Sequence, residues 1–443
     1  MSVSRRAFLY FGLYFGAAFA LTRNAFGRGR SPIGGRVQLR VPWPVAALDP
    51  HKLDDVTCGI FGGAVFDSLY VMEGNRVVPA LAESMPDADG THARVKLRAG
   101  LATATGRPII AREVIASLSR ARAGDGRAWL ADVPIPKRID DLTLQFAQSD
   151  ANKLAAPLAS PLCAIVPVSF ATDRPDATGA FAVSHDGPAL SLSRNARAAQ
   201  GPSFLDAITV RGASDLADSL RSFEAGTDDL GWLGLGLHEP RAGARSFDGG
   251  LVAYALLRTG RDAGVWDMPG TAQRLADGIA PSLLAHLAPG PAWNVQPDQG
   301  WGGAPCEILV RDDSPWLAEL ARAVAASLSK PSHEVTVRSV PASVIRERRA
   351  SRSYALAIDA VRPFAPGLLG TLAALATSDN PELAMDAVRH PPRIADLPAR
   401  TIARTMRIGV LGEIRAQGGR VSDLALPSAS SGVDWASATR GRK

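Results

Sequence analysis

Between residues 307 and 361 the sequence alternates strand-like and helix-like segments on short links, and this alternation restricts the fold more than any other feature. EILVRD (307–312), a helical stretch over 314–328, EVTVRSV (334–340), a second helix over 341–350 and YALAIDAV (354–361) read as β-α-β-α-β. Helices inserted between short apolar runs are the pattern of parallel strands covered on their faces. An earlier unit repeats the theme: ITVRG (208–212), a helix over 214–224 and DDLGWLG (228–234) form a strand–helix–strand crossover. Apolar/polar alternation in residues 36–45, 94–98, 142–147 and 190–194 adds further strands. Helical spacing of Ile60, Phe61, Ala64, Val65 and Leu69 marks a helix within 57–71, and Pro108 precedes another that carries Val114, Ile115, Leu118 and Ala121 on one face. The class is α/β. The stretch 258–304, rich in Gly, Pro and Trp, yields no assignment.

At 443 residues the chain has room for about three domains. Its 42 glycines and 32 prolines imply many loops and short helices. A net charge of +6 suggests nucleic acid until its distribution is read. Residues 1–30 hold five arginines and no acid, which leaves the remainder at 44 basic against 43 acidic groups. No nucleic-acid surface follows from so even a balance. Cys58, Cys163 and Cys306 lack any paired spacing, so neither a disulfide framework nor a metal cluster is expected.

The N-terminus carries an address. Arg5 and Arg6 precede fifteen apolar or glycine residues, Ala7 to Leu21. That run is short for a membrane span, which takes about 20 residues, and has the length of a signal-peptide core. Ser4-Arg5-Arg6-Ala7-Phe8-Leu9 resembles the twin-arginine export motif at every specified position, which implies the twin-arginine translocase as a partner. Ala25-Phe26-Gly27 and Ala18-Phe19-Ala20 are both open as cleavage sites. The body is expected in the periplasm, free if the signal is removed and anchored if it is not.

The middle of the chain carries a set of motifs in order: Leu48-Asp49-Pro50; Asp67 to Tyr70 as D-x-L-Y; Val78 to Ser84 as V-P-A-L-A-E-S; Leu97 to Gly100 as L-R-x-G; and Gly106 to Leu118 as G-x-P-x-x-A-x-x-V-x-x-S-L. Ala177-Thr178-Gly179-Ala180-Phe181, Arg194-Asn195, Phe204-Leu205-Asp206 and Glu224-Ala225-Gly226-Thr227-Asp228 continue it. Over about 36–240 the chain resembles the extracellular solute-binding proteins of family 5, the oligopeptide-, dipeptide- and nickel-binding components of ABC importers. Thr178-Gly179 suits a turn before a strand, and most motif positions read as structural. The resemblance implies a two-lobed periplasmic-binding-protein-like fold with a small inserted domain. Its expected layout is a signal at 1–27, a first lobe from 28–48, 166–255 and 406–443, the insert at 49–165 and a second lobe at 256–405. It further implies a small or peptide-like solute in the interlobe cleft, an ABC importer permease as partner, and no cofactor. Two rivals stand beside transport: a repurposed sensor or partner protein, and an exported hydrolase.

The chain departs from the family pattern at Met85, usually Trp, and at Glu113, usually Asp. It is also short, mainly in the second lobe. Peptide binders of the family place an acid shortly before an acid–proline pair, and there AIDAVRPFAPG (357–367) offers Asp359 and Arg362. An arginine in that position points to a carboxylate or phosphate ligand. Trp43, Trp232, Trp293 and Trp301, near strand ends or in loops, are the aromatic candidates for ligand contact.

Enzyme signatures do not assemble. Ser327-Leu328-Ser329-Lys330 fits S-x-x-K and Ser378-Asp379-Asn380 spells S-D-N, as in serine β-lactamases. However, the first closes a helix before Pro331, and no K-T-G follows. No P-loop, G-x-S-x-G, H-E-x-x-H or EF-hand loop occurs. No catalytic or metal-ligating residue is assigned.

Overall fold

The computed structural model describes residues 33–148, 150–232, 241–284, 295, 300–365, 367–379, 381–390, 399–429 and 432–441. The signal segment with Arg5 and Arg6, Trp293 and residues 233–240 lie outside these. Ten strands form one sheet: β1 (Arg36–Val41), β2 (Phe181–Asp186), β3 (Ala189–Arg194), β4 (Ala207–Gly212), β5 (Leu230–Trp232), β6 (Ala244–Thr259), β7 (Cys306–Arg311), β8 (Val335–Val340), β9 (Leu356–Val361) and β10 (Ile408–Val421). Their spatial order is β8-β7-β9-β6-β10-β5-β1-β4-β3-β2.

Both expected parallel units are present, one in each half. β1 lies between β4 and β5, parallel to both. β7 lies between β8 and β9, again parallel to both. The antiparallel pair β6/β10, sixteen and fourteen residues long, joins the two triplets and runs from one half into the other. Register shifts near Asp248, Leu251 and Ala255 interrupt this pair where the halves meet. Such bulges bend and twist a strand. The lobe boundary expected between residues 255 and 256 falls inside β6.

Among the helices are α1 (Val56–Val65), α2 (Ala111–Ala123), α3 (Leu216–Glu224), α4 (Pro315–Leu328), α5 (Ala342–Ser351), α6 (Gly367–Asp379), α7 (Pro381–Arg389) and α8 (Ala399–Ala403). α1 is shorter than the helical spacing suggests. Phe66 turns extended, and the buried Asp67 carboxylate accepts bonds from Thr178 Oγ1 (2.7 Å) and Gln200 Nε2 (2.9 Å) in place of a further helical turn.

Within residues 49–165 a four-stranded antiparallel sheet (Asp87–Ala88, Ala93–Lys96, Thr143–Phe146, Lys137–Arg138) packs against α2. Its core of Val95, Leu118, Leu144 and Phe146 is continuous with Phe364, Leu375 of α6, Ile402 of α8 and Val410 of β10. The inserted segment therefore shares a core with the C-terminal helices. Trp129 meets Phe364 edge-on at 4.9 Å, Ser160 Oγ donates to Phe364 O at 2.7 Å, and Arg389 pairs with Asp132 at 2.7 Å.

Candidate functional site

A cavity of about 380 Å³ lies where the two halves face each other. One wall is built by residues 43–57, the loop after β1 and the start of α1. The other is built by the end of β7 and start of α4 (311–317), by Ala342 and Arg346 of α5, and by Asp359 and Ala360 of β9. The carboxyl ends of β1 and β7 thus both open onto it, which is where open α/β sheets bind ligands. A larger hollow of about 660 Å³, near Thr105, Asp176 and His185, receives no wall from the second half. The interlobe space, walled from both halves, is therefore the better candidate.

The first wall is stapled by its own side chains. Asp55 caps α1, accepting from the backbone N–H of Cys58 and of Asp49, each at 2.7 Å. Asp49 takes both ends of the Arg120 guanidinium at 2.8 and 2.7 Å. Burial pushes the Asp49 carboxyl up, but Arg120 outweighs it and holds the group below the usual carboxylate range. His51 is buried against Ala164 O (2.9 Å), and burial lowers its pKa to about 4. The Leu48-Asp49-Pro50 motif is a loop brace, as its structural reading implies.

Burial raises the pKa of Asp55 to about 6, against the two N–H donors that favour its charged form. A carboxyl raised on folding contributes stability that is complete below its unfolded value near 4 and lost as pH rises through about 6. The Asp55 carboxyl carbon is accordingly expected to titrate in NMR with a midpoint near 6. A midpoint near 4 would show the group solvated.

The second wall centres on Asp359, which accepts from Arg258 Nε (3.1 Å) and Arg349 Nη1 (2.7 Å). These two guanidinium groups overcome its burial and keep the carboxyl below its ordinary value. Arg349 also reaches across to Asp54 at 3.5 Å, so one arginine ties both walls.

The sequence candidates separate into two groups. Trp43 and Asp359 line the cavity together. Trp43 stacks edge-on to Trp316 at 4.4 Å, across the two halves. Arg362 is buried and does not line the cavity: its Nε donates to Lys52 O at 2.8 Å and its Nη2 to Pro50 O, while its backbone N–H donates to Leu53 O. It fastens the second half to the first wall. Trp232 is buried within β5, and its backbone N–H donates to Ser219 Oγ. Trp301 is buried on Trp266 at 5.1 Å, with Nε1 donating to Ala304 O. Neither borders the cavity.

Sequence reasoning passed over Lys52, Ser314 and Arg346, all of which line it. Ser314 and Arg346 follow β7 and β8, so the strand–helix alternation itself could have located them. The serine–lysine motif lies elsewhere, across the end of α4, with Ser329 Oγ bonded to the Val335 backbone. Among the described residues no group of three or more His, Cys, Asp or Glu could hold a metal ion, and all three cysteines are free. No helix among them is long and apolar enough to cross a membrane.

Residues 76–237 match the model of the bacterial extracellular solute-binding proteins, family 5, middle region. No curated protein matches the sequence. Among solved structures, DppA from Helicobacter pylori, in complex with the peptide STSA, superposes with a TM-score of 0.67 at 16% identity, over 93% of this chain and 99% of that one. NikA from Staphylococcus aureus, in complex with Ni(L-His)2, gives 0.64 at 16% identity, over 91% and 99%. AgaA from A. tumefaciens R10, in complex with agropinic acid, gives 0.66 at 12% identity, over 92% and 99%. These likenesses show the two-lobed binding-protein fold. The match to the family 5 model covers the motif-bearing segment 76–237, and over the rest of the chain the likeness is one of fold.

Proposed function

We propose that this protein captures a small solute in the cavity between its halves and delivers it to the permease of an ABC importer. Its export would use the twin-arginine translocase, read from Arg5 and Arg6, and would leave it in the periplasm. In this reading the first lobe is 28–48, 166–255 and 406–443, the insert 49–165 and the second lobe 256–405, with β6 and β10 as the shared spine. The observation that carries the reading is one space walled by both halves, with a continuous pair of strands running between them. Bulges in that pair supply the bend about which such halves close. Trp43 and Asp359 would face the solute, while Trp232, Trp301 and Arg362 support the frame. A role for Trp293 is carried only by its place in the sequence. No catalytic residue is assigned, in keeping with a binding fold. The peptide STSA, Ni(L-His)2 and agropinic acid are each held by a neighbour of this fold, so the fold does not choose the solute.

Thermal unfolding of the purified protein against short peptides, nickel chelates, sugars and carboxylate- or phosphate-bearing metabolites tests this. A solute at about 100 times its Kd should stabilise the fold by about 2.7 kcal/mol. The same solute should change tryptophan emission in the native protein and less in Trp43→Phe. A folded protein that no solute shifts would favour the sensor or partner role.

A further inference from the structure

We propose that the solute is a small oxyanion, a carboxylate or phosphate ester, gripped by Lys52 from the first wall and Arg346 from the second. This rests on the solute-receptor reading above and deepens it. By formal count the cavity looks cation-selective, since Asp49, Asp54, Asp55, Asp313 and Asp359 border it against Lys52, Arg311 and Arg346. The engagements reverse that count. Asp49 is held by Arg120, Asp54 by Arg349, Asp313 by Arg311, and Asp359 by Arg258 and Arg349. Asp55 is the cap of α1, and both its oxygens accept backbone N–H groups.

A cation entering this space meets acids already engaged by arginine or, at Asp55, by backbone N–H groups. Lys52 and Arg346 are different: neither side chain makes an ion pair or hydrogen bond among the described residues.

Two further groups point the same way. Trp43 Nε1 and Ser314 Oγ are buried polar atoms with no hydrogen-bond partner, and both residues line this cavity. Trp43 is 3% exposed and Ser314 0%. An indole N–H can only donate, and a hydroxyl can donate as well as accept. A buried polar group without a partner costs stability, so an arriving acceptor is favoured there. Two uncommitted cations with two orphaned donors therefore describe an anion site. The volume of about 380 Å³ restricts it to a small molecule. Because Lys52 and Arg346 belong to opposite walls, an anion bridging them draws the halves together.

The test is calorimetric binding and thermal unfolding of the purified protein. The probes are succinate, citrate, N-acetylglycine, glycerol phosphate and inorganic phosphate, set against succinamide, glycinamide and putrescine. The expected result is saturable binding of one or more anions, weakening with salt, and none by the amides or putrescine. Carboxylate-only or phosphate-only binding identifies the source of the charge. Arg346→Gln and Lys52→Gln should each weaken the bound anion about tenfold, with the unfolding temperature of the free protein unchanged, because neither side chain has a partner to lose. Binding of a neutral or cationic probe in place of the anions overturns the assignment while leaving a solute receptor. Equal anion affinity in both variants and the native protein also overturns it. No binding by these probes or by the wider solute panel overturns the receptor reading together with it.

Discussion

Asp359→Ala is expected to destabilise the protein by about 3–5 kcal/mol, the cost of stripping one partner from a buried ion pair. Asp359 is 6% exposed and Arg258 2%. Their pairing sits on adjacent strands, where β6 and β9 run antiparallel with Leu256 opposite Asp359. Loss of the carboxylate leaves the Arg258 and Arg349 guanidinium groups facing each other without the charge between them. Against a total folding stability of about 5–15 kcal/mol, that is a large share. Urea unfolding measures it directly. The acid limb gives an independent reading. The carboxyl is held below its ordinary value on folding, so its contribution is complete above about pH 4 and lost as pH falls through the lower folded value. In Asp359→Ala that part of the acid limb should flatten. If Asp359 instead served mainly as a ligand contact, the variant would unfold like the native protein and lose only solute affinity.

This substitution also shows why the site was only partly legible. Counting along 357–367 offered Asp359 and Arg362 as ligand contacts, of which only Asp359 borders the cavity, and sequence spacing carries no information on what already neutralises them. Asp359 is answered from β6, 101 residues away, and Arg362 from the carbonyls of Pro50 and Lys52, more than 300 residues away. By contrast the parallel strands were legible because each is short and keeps one pattern along its length. β9 is buried at all six positions, and β1 alternates as a half-exposed strand should.

β6 and β10 escaped the sequence reading because each changes character along its length. β6 begins half-exposed, passes through Gly249 and Gly250, and ends in eight consecutive buried residues. β10 begins buried and ends alternating, with Gly418 and Gly419 near its end. A strand that serves two lobes has two environments, and no single period describes it. The C-terminal helices were hidden for a related reason. α6 is apolar around most of its circumference, with Ala373, Ala374, Leu375 and Ala376 all buried, because it packs on both the sheet and the inserted segment.

Gly179→Ala is expected to cost about 3 kcal/mol, the upper end for overpacking, because what a side chain would strike there is backbone. A Cβ on residue 179 would lie 2.4 Å from the carbonyl carbon of Val65, 2.5 Å from its oxygen and 2.6 Å from Ala64 O. The glycine is not needed for a left-handed turn; it is needed for close approach. Its N–H donates to Val65 O at 2.9 Å, and its own carbonyl accepts from Asn195 Nδ2 at 2.8 Å, so the segment is clamped from two sides against the end of α1. Relief would require α1 to shift, and the other end of α1 carries Asp54, Asp55 and Val56 into the cavity wall. The variant should therefore lose solute affinity as well as stability, although residue 179 is no part of the cavity. Gly63→Ala is the control within the same helix. A Cβ there meets nothing within 4 Å, so alanine should be neutral or stabilise by up to about 1 kcal/mol through the gain in helix propensity. Equal unfolding midpoints for the two variants would mean that α1 yields freely at its C-terminal end. The first wall would then be less rigid than its hydrogen bonds imply.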